Sequence, residues 1–81
     1  MTFVETPIRQ LASGDLIQLR DGVGRILRIE ARSHMPSIFE DCYGRDGRSV
    51  YWRNLDGPHA GKDGVERVHA DTTVMAERCE Q

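Results

Sequence analysis

Hydrophobic and polar residues alternate along several short stretches of this chain. In residues 25–32, Leu27, Ile29 and Ala31 alternate with charged residues, as in a strand that has one face in water. Ile26 interrupts the alternation on the charged side, and we place it near the end of a barrel. Because no stretch of a dozen residues keeps the apolar spacing of a helix, the pattern predicts β-strands.

Turn-forming residues separate these stretches. The dipeptide Asp-Gly, which supplies the positive φ values of tight hairpin turns, occurs four times. We predict strands at residues 16–20, 25–32, 38–43, 49–55, 65–69 and 72–75, with a further strand or a short turn at 6–11. Loops are predicted at 21–24, 33–37, 44–48 and 56–64, and a frayed tail at 77–81. Five to seven short strands predict a mostly β fold, either a small barrel or a strongly bent antiparallel sheet.

The chain has 81 residues, of which 38% are hydrophobic, so we expect one domain, residues 1–81, with one small core. The only tryptophan, Trp52, is the natural centre of that core, and an exposed place in an interface is the alternative. No apolar run approaches the roughly 20 residues of a membrane helix. The first residues do not resemble a secretory signal, so we expect a cytoplasmic protein.

The two cysteines, Cys42 and Cys79, lie far apart in the sequence, and we expect both to be reduced. A Cys42–Cys79 bridge is the alternative, and it requires the tail to fold back on the domain.

Charge is unevenly distributed along the chain. The net charge is −2, made up of −1 for residues 1–24, +2 for 25–53 and −3 for 54–81. A dedicated duplex-DNA binder carries a strong basic excess, which is missing here. The basic residues are ten arginines and one lysine, and arginine suits planar, bidentate contacts.

The sequence shows no catalytic, metal or cofactor pattern. The candidate metal ligands lack the spacing of a zinc site. Cys42 follows Glu40 and Asp41, whose carboxylates disfavour a thiolate, and in a strand these two acids point to opposite faces. The glycines at 22–24 and 57–64 lack the rest of a nucleotide-binding motif. We therefore expect no enzyme, no cofactor and no metal. The ligands considered are His34, His59, His69, Cys42 and Cys79.

One predicted hairpin, residues 42–53, concentrates arginines and aromatic residues. Tyr51 and Arg53 fall on one face of its second strand, and Val50 and Trp52 fall on the other. Tyrosine, tryptophan and arginine are enriched at protein interfaces, and the same residues stack on bases and neutralise phosphates. The predicted partner-binding residues are Tyr43, Arg45, Arg48, Tyr51 and Arg53.

The opening of the domain resembles an SH3-like small barrel. The sequence Leu-Ala-Ser-Gly-Asp-Leu-Ile-Gln-Leu at 11–19, followed by Asp-Gly-Val-Gly-Arg-Ile-Leu-Arg-Ile at 21–29, has the Gly-Asp turn, strand, glycine-containing hairpin and second strand of these folds. Nucleic-acid-associated KOW-type modules share the pattern. The resemblance covers the first third of the chain and implies a fold, with no functional residues carried over.

Two functions remain open from the sequence. The first is a non-enzymatic protein-interaction module, and the analogy in size and composition is with phage or mobile-element accessory proteins that inhibit host nucleic-acid-binding complexes, as anti-CRISPR proteins do. The alternative is nucleic-acid binding through the arginines and aromatic residues of 25–53. We expect a protein partner and no membrane contact; the sequence leaves the oligomeric state open.

Overall fold

The described residues of this computed structural model, 2–31 and 46–78, form one antiparallel sheet. Its six strands are β1 (Val4–Pro7), β2 (Leu16–Leu19), β3 (Gly22–Glu30), β4 (Gly47–Asn54), β5 (Asp63–His69) and β6 (Thr73–Glu77). A 3-10 turn, Ile8–Gln10, follows β1. The strand order is β1-β6-β2-β3-β4-β5, and the sheet is not closed into a barrel. The mostly β fold is therefore confirmed as an open antiparallel sheet.

Most predicted strands are present. Those at 16–20, 25–32, 49–55, 65–69 and 72–75 correspond to β2, β3, β4, β5 and β6. The predicted tail begins too early, because Glu77 still pairs with Leu16 in the ladder between β6 and β2. The strand predicted at 38–43 and the loop at 33–37 lie outside the described residues, as do residues 44 and 45 of the predicted turn at 44–48, while β4 already begins at Gly47.

A β-bulge in β3 corrects the predicted position of Ile26. Ile26 pairs with Trp52, whereas Arg28 pairs with Tyr51, so Leu27 is an extra residue between the two pairs. An extra residue reverses the alternation of faces along the strand. Ile26 is consequently only 1% exposed and lies in the core, not on the polar face near the end of a barrel.

The turn at 12–15 holds the bulge in place. The N–H of Ile26 donates to the carbonyl of Asp15 at 2.8 Å, and its carbonyl accepts from the N–H of Gly14 at 2.8 Å. The hydroxyl of Ser13 donates to the carbonyl of Leu27 at 2.8 Å. A carboxylate oxygen of the buried Asp15 in turn accepts from the N–H of Ala12, at 2.9 Å. The polar groups around the bulge are thus satisfied by the Gly-Asp turn.

The core covers one face of the curved sheet. Its buried members come from the 3-10 turn and the loop after it, and from four strands: Ile8, Leu11, Ile17, Ile26, Val50 and Ala76. Trp52 is half-buried and packs against this cluster. Its ring lies against the backbone of Gly64, since a Cβ built on Gly64 would lie 2.6 Å from two ring carbons. Trp52 therefore supports the core without being enclosed by it.

The side chain of Arg67 joins three strands. From β5 it crosses the fully buried Ser49 of β4 and donates to Ser49 Oγ at 3.2 Å. Its Nη2 donates to the carbonyl of Ala31 at 2.7 Å, directly after β3. These hydrogen bonds involve a charged donor, which makes them stronger than neutral ones.

A cluster of charged groups closes the end of the domain where β5 turns into β6. Arg9 Nε donates to Asp71 Oδ1 at 2.7 Å, and Arg9 Nη2 lies 3.9 Å from Asp46 Oδ1. The N–H of Asp71 donates to Nδ1 of His69 at 3.0 Å. The hydrogen bond from Arg9 lowers the pKa of Asp71. Because these groups are exposed, we assign the cluster a modest effect on stability.

The bulge predicts unequal effects for neighbouring residues. Ile26→Ala should reduce the free energy of unfolding by about 2–5 kcal/mol, because it truncates the largest fully buried side chain of the described residues. Leu27→Ala, at the half-buried extra residue, should cost about 1 kcal/mol. Urea unfolding of both variants measures the difference. A larger effect at Leu27 than at Ile26 would show that β3 has no bulge.

Candidate functional site

The predicted partner-binding residues divide between the two faces of β4. Tyr51 and Arg53 lie on the face turned away from the core, as the alternation predicts. Arg48 falls on the same side as Val50 and is half-buried, with its Nη1 donating to the carbonyl of Gly47 at 2.8 Å. Tyr43 and Arg45 lie outside the described residues. The structure therefore brings Tyr51 and Arg53 together and sets Arg48 apart from them.

The face that carries Tyr51 and Arg53 extends across three strands, and we call it the outer face. Strand register arranges its side chains in three rows that cross β3, β4 and β5. The rows are Arg25, Arg53 and Asp63; Arg28, Tyr51 and Val65; and Glu30, Ser49 and Arg67. Four arginines and two acids give this face a charge of +2 within a chain of net charge −2.

The middle row of the outer face is ordered by a cation–π contact. The guanidinium carbon of Arg28 lies 4.0 Å from the centre of the Tyr51 ring. Arg28 Nε also donates to Glu30 Oε1 at 2.8 Å. Hydrogen bonding to Tyr51 and to Glu30 raises the pKa of Arg28. The guanidinium is thus held in one place and stays charged, while its side chain remains largely exposed.

The first row places two arginines directly opposite each other. Arg25 of β3 is paired in register with Arg53 of β4. Arg53 is neutralised on its other side by Asp63, with Nε and Nη2 at 2.8 and 3.3 Å from the two carboxylate oxygens. No carboxylate of the described residues pairs with Arg25. Since Asp63 neutralises Arg53 but no described acid pairs with Arg25, Arg25 is a site where an added anion would be favourable.

The opposite side of the sheet holds an apolar cleft of about 210 Å³. The charged residues Arg20 and Glu66 are among its lining residues. Its main apolar residues are Ile8, Leu19, Trp52, Val68 and Val74. A second depression adjoins the first over Trp52 and includes His59 and Gly64.

The outer face has the chemistry of a surface that binds anions. Guanidinium groups offer forked donors to carboxylates and phosphates, and Tyr51 adds a flat apolar surface. Within the described part of the chain, no three metal-binding side chains come together. No helix in the same residues is both long and apolar enough to cross a membrane.

Sequence reasoning missed Arg25 and Arg28 as members of this face. Strict alternation puts residues 25 and 28 on opposite sides of a strand, and only the bulge at Leu27 brings them to one side. A signal did exist, because Ile26 broke the alternation.

Comparison of the chain with protein-family models, with curated proteins and with solved structures found no match.

The pairing of Arg53 with Asp63 predicts an abnormal titration. The hydrogen bond from Arg53 should hold the pKa of Asp63 below its ordinary value of 3.8. Any stability from this pair is then present above pH 3.8 and is lost as the pH falls through the pKa of the folded state. The pKa of Asp63 is measured from its carboxyl chemical shift recorded as a function of pH.

The variant Arg53→Met should move the pKa of Asp63 back towards its ordinary value. Asp71 is the internal control, because its pKa is lowered by Arg9 and should not change. If Asp63 titrated at the same pH in both proteins, the two side chains would not be paired in solution.

Proposed function

We propose that this chain is a non-enzymatic protein-interaction module whose outer face binds an acidic surface of a partner protein. One observation carries the proposal: Arg25 and Arg53 lie opposite each other, and Arg25 forms no ion pair with an acid of the described residues. Because Asp63 already neutralises Arg53, the charge of Arg25 is the one left uncompensated in this row. A carboxylate of the partner beside Arg25 would supply the missing opposite charge.

The neighbouring row supports the same proposal. Arg28 is already stacked on Tyr51 before any partner arrives, so its ordering costs little entropy on binding. Arg53 is likewise held by Asp63. Tyrosine and arginine side chains fixed in this way are typical of the residues that dominate binding energy in protein interfaces.

The charge pattern favours a protein partner over a nucleic acid. Glu30 and Asp63 stand among the arginines of the outer face, and both would repel a continuous row of phosphates. A protein surface that carries both signs of charge fits such a pattern.

The broader setting is part of the same proposal. Strands β2, β3, β4 and β5 follow one another as a four-strand meander, and β6 lies beside β2, the first strand of that meander. This order supports the SH3-like resemblance of residues 11–29. Analogy with small accessory proteins of phages suggests a cytoplasmic partner that belongs to a host nucleic-acid-binding complex. That identity rests on size and composition alone.

Neutralising the outer face should abolish partner capture without unfolding the domain. The variant carries Arg25→Ala, Arg28→Ala and Arg53→Ala, and it is used as bait in nuclease-treated lysate of the native cell or host. Because these side chains are exposed, their loss should change stability by about 1 kcal/mol or less. The matched control carries Arg20→Ala and Arg78→Ala, two exposed arginines outside the face. Equal capture by the variant and the wild type would exclude the outer face as the site.

The nucleic-acid alternative makes a different prediction. If the four arginines of the outer face bind phosphates, affinity for single-stranded oligonucleotides should fall steeply with salt, by a slope of about −0.7 for each phosphate contacted. Fluorescence anisotropy at several salt concentrations measures this slope. Our proposal expects weak binding with no loss in the triple variant. Tight, salt-sensitive binding that the triple variant loses would replace the protein-partner proposal.

A further inference from the structure

The outer edge of β5 is a second surface that can bind, through backbone N–H and C=O groups that pair with no described strand. No described strand pairs with β5 on the side away from β4. The opposite edge of the sheet is protected differently, because β1 is a short strand that ends in Pro7. Strand β5 has seven residues and contains neither proline nor lysine. Its charged residues are Asp63, Glu66 and Arg67, so a strand that pairs with this long edge must match their charges.

The backbone of Val65 points to this edge. The N–H of Ala70 donates to the carbonyl of Asp46 at 2.6 Å, which fixes one bonded pair of the β4–β5 ladder. Bonded pairs alternate in an antiparallel ladder, so the N–H and C=O of Gly64 and Glu66 face β4. The N–H and C=O of Val65 therefore face away from β4, towards the open edge. The Val65 side chain is also 41% exposed, which makes it one of the exposed large hydrophobic residues of the described chain.

We infer that the edge of β5 pairs with β5 of a second copy of this chain, antiparallel and centred on Val65. In this register Val65 meets Val65 of the second copy, and the two residues exchange both backbone hydrogen bonds. Asp63 then stands opposite Arg67 of the second copy, and two-fold symmetry repeats this pair of opposite charges. Arg67 keeps its contacts within its own chain, since the pairing requires only its charge. Shifting the centre by one residue would instead place Glu66 against Glu66.

Two polar groups that bond to no described side chain support the same register. Within residues 2–31 and 46–78, no side chain accepts a hydrogen bond from the indole Nε1–H of Trp52, and none forms an ion pair with Glu66. The indole nitrogen lies beside Gly64, 2.9 Å from the place where a Cβ would stand. In the proposed register Glu66 of the second copy lies opposite Gly64. Its carboxylate therefore reaches the Trp52 N–H, and the same contact forms twice.

The pairing extends the outer face. Because the two-fold axis is perpendicular to the sheet, the outer face runs from β4 and β5 of one copy into β5 and β4 of the other. The two outer faces then lie side by side, on the same side of one continuous sheet. This inference does not depend on the proposed function, because self-association can occur with or without a partner at the arginines.

The test is sedimentation equilibrium of the full chain under reducing conditions, at concentrations up to about 1 mM. We expect a reversible dimer. Val65→Lys puts two like charges on the symmetry axis and should raise the dissociation constant at least about tenfold. Val4→Lys is the matched control, because Val4 is 58% exposed on the opposite edge strand, and it should leave the dimer unchanged. A wild-type chain that stays monomeric, or a dimer unaffected by Val65→Lys, would overturn the inference.

A second measurement needs no variant. The chain has one tryptophan, so it gives one indole N–H resonance in a proton NMR spectrum. We expect this resonance to shift as the protein is concentrated, and the Val65 amide to exchange more slowly with solvent. If both signals are independent of concentration while a dimer forms, the dimer uses a different surface and the inference is wrong.

Discussion

One extra residue in β3 determines how both faces of this sheet are used. Without the bulge at Leu27, Ile26 and Ile29 would lie on opposite faces, and so would Arg25 and Arg28. With it, Ile26 pairs with Trp52 and Ile29 pairs with Val50, so both isoleucines face the core. Arg25 and Arg28 then pair with Arg53 and Tyr51 on the outer face. The same irregularity therefore completes the core and assembles the arginine surface.

The Gly-Asp turn stabilises this irregularity. A bulge leaves backbone groups without ladder partners, and a buried unpaired group costs roughly 1–3 kcal/mol. Here both backbone groups of Ile26 are bonded to Gly14 and Asp15, and the carbonyl of Leu27 accepts from Ser13. The Gly-Asp turn, which opens the small-barrel pattern in the sequence, thus helps to fix the register of β3 against β2 and β4.

The sequence predicted the positions of the strands well, but it predicted less well which face of the sheet each side chain occupies. Asp-Gly turns and β-forming triplets such as Val50, Tyr51 and Trp52 act locally, so they are visible without a structure. The break in alternation at Ile26 was the local sign of the bulge, but the hydrogen bonds that hold it come from a turn more than ten residues earlier in the chain and cannot be read from a local pattern. The pairing of Arg25 with Arg53 likewise depends on register between strands far apart in sequence. Tyr51 and Arg53 were identifiable because they alternate with core residues on a regular strand.

The two sides of β4 divide between the core and the proposed binding surface. Val50 and Trp52 support the core, whereas Tyr51 and Arg53 lie on the outer face. On the proposed function the two remain coupled, because an anion at Arg25 would bind only the folded strands, which place Arg25 opposite Arg53. A ligand that binds only the folded chain raises its stability according to the ratio of ligand concentration to dissociation constant. Occupation of the outer face should thus be coupled to the stability of the sheet, through the strands that Leu27 holds in register.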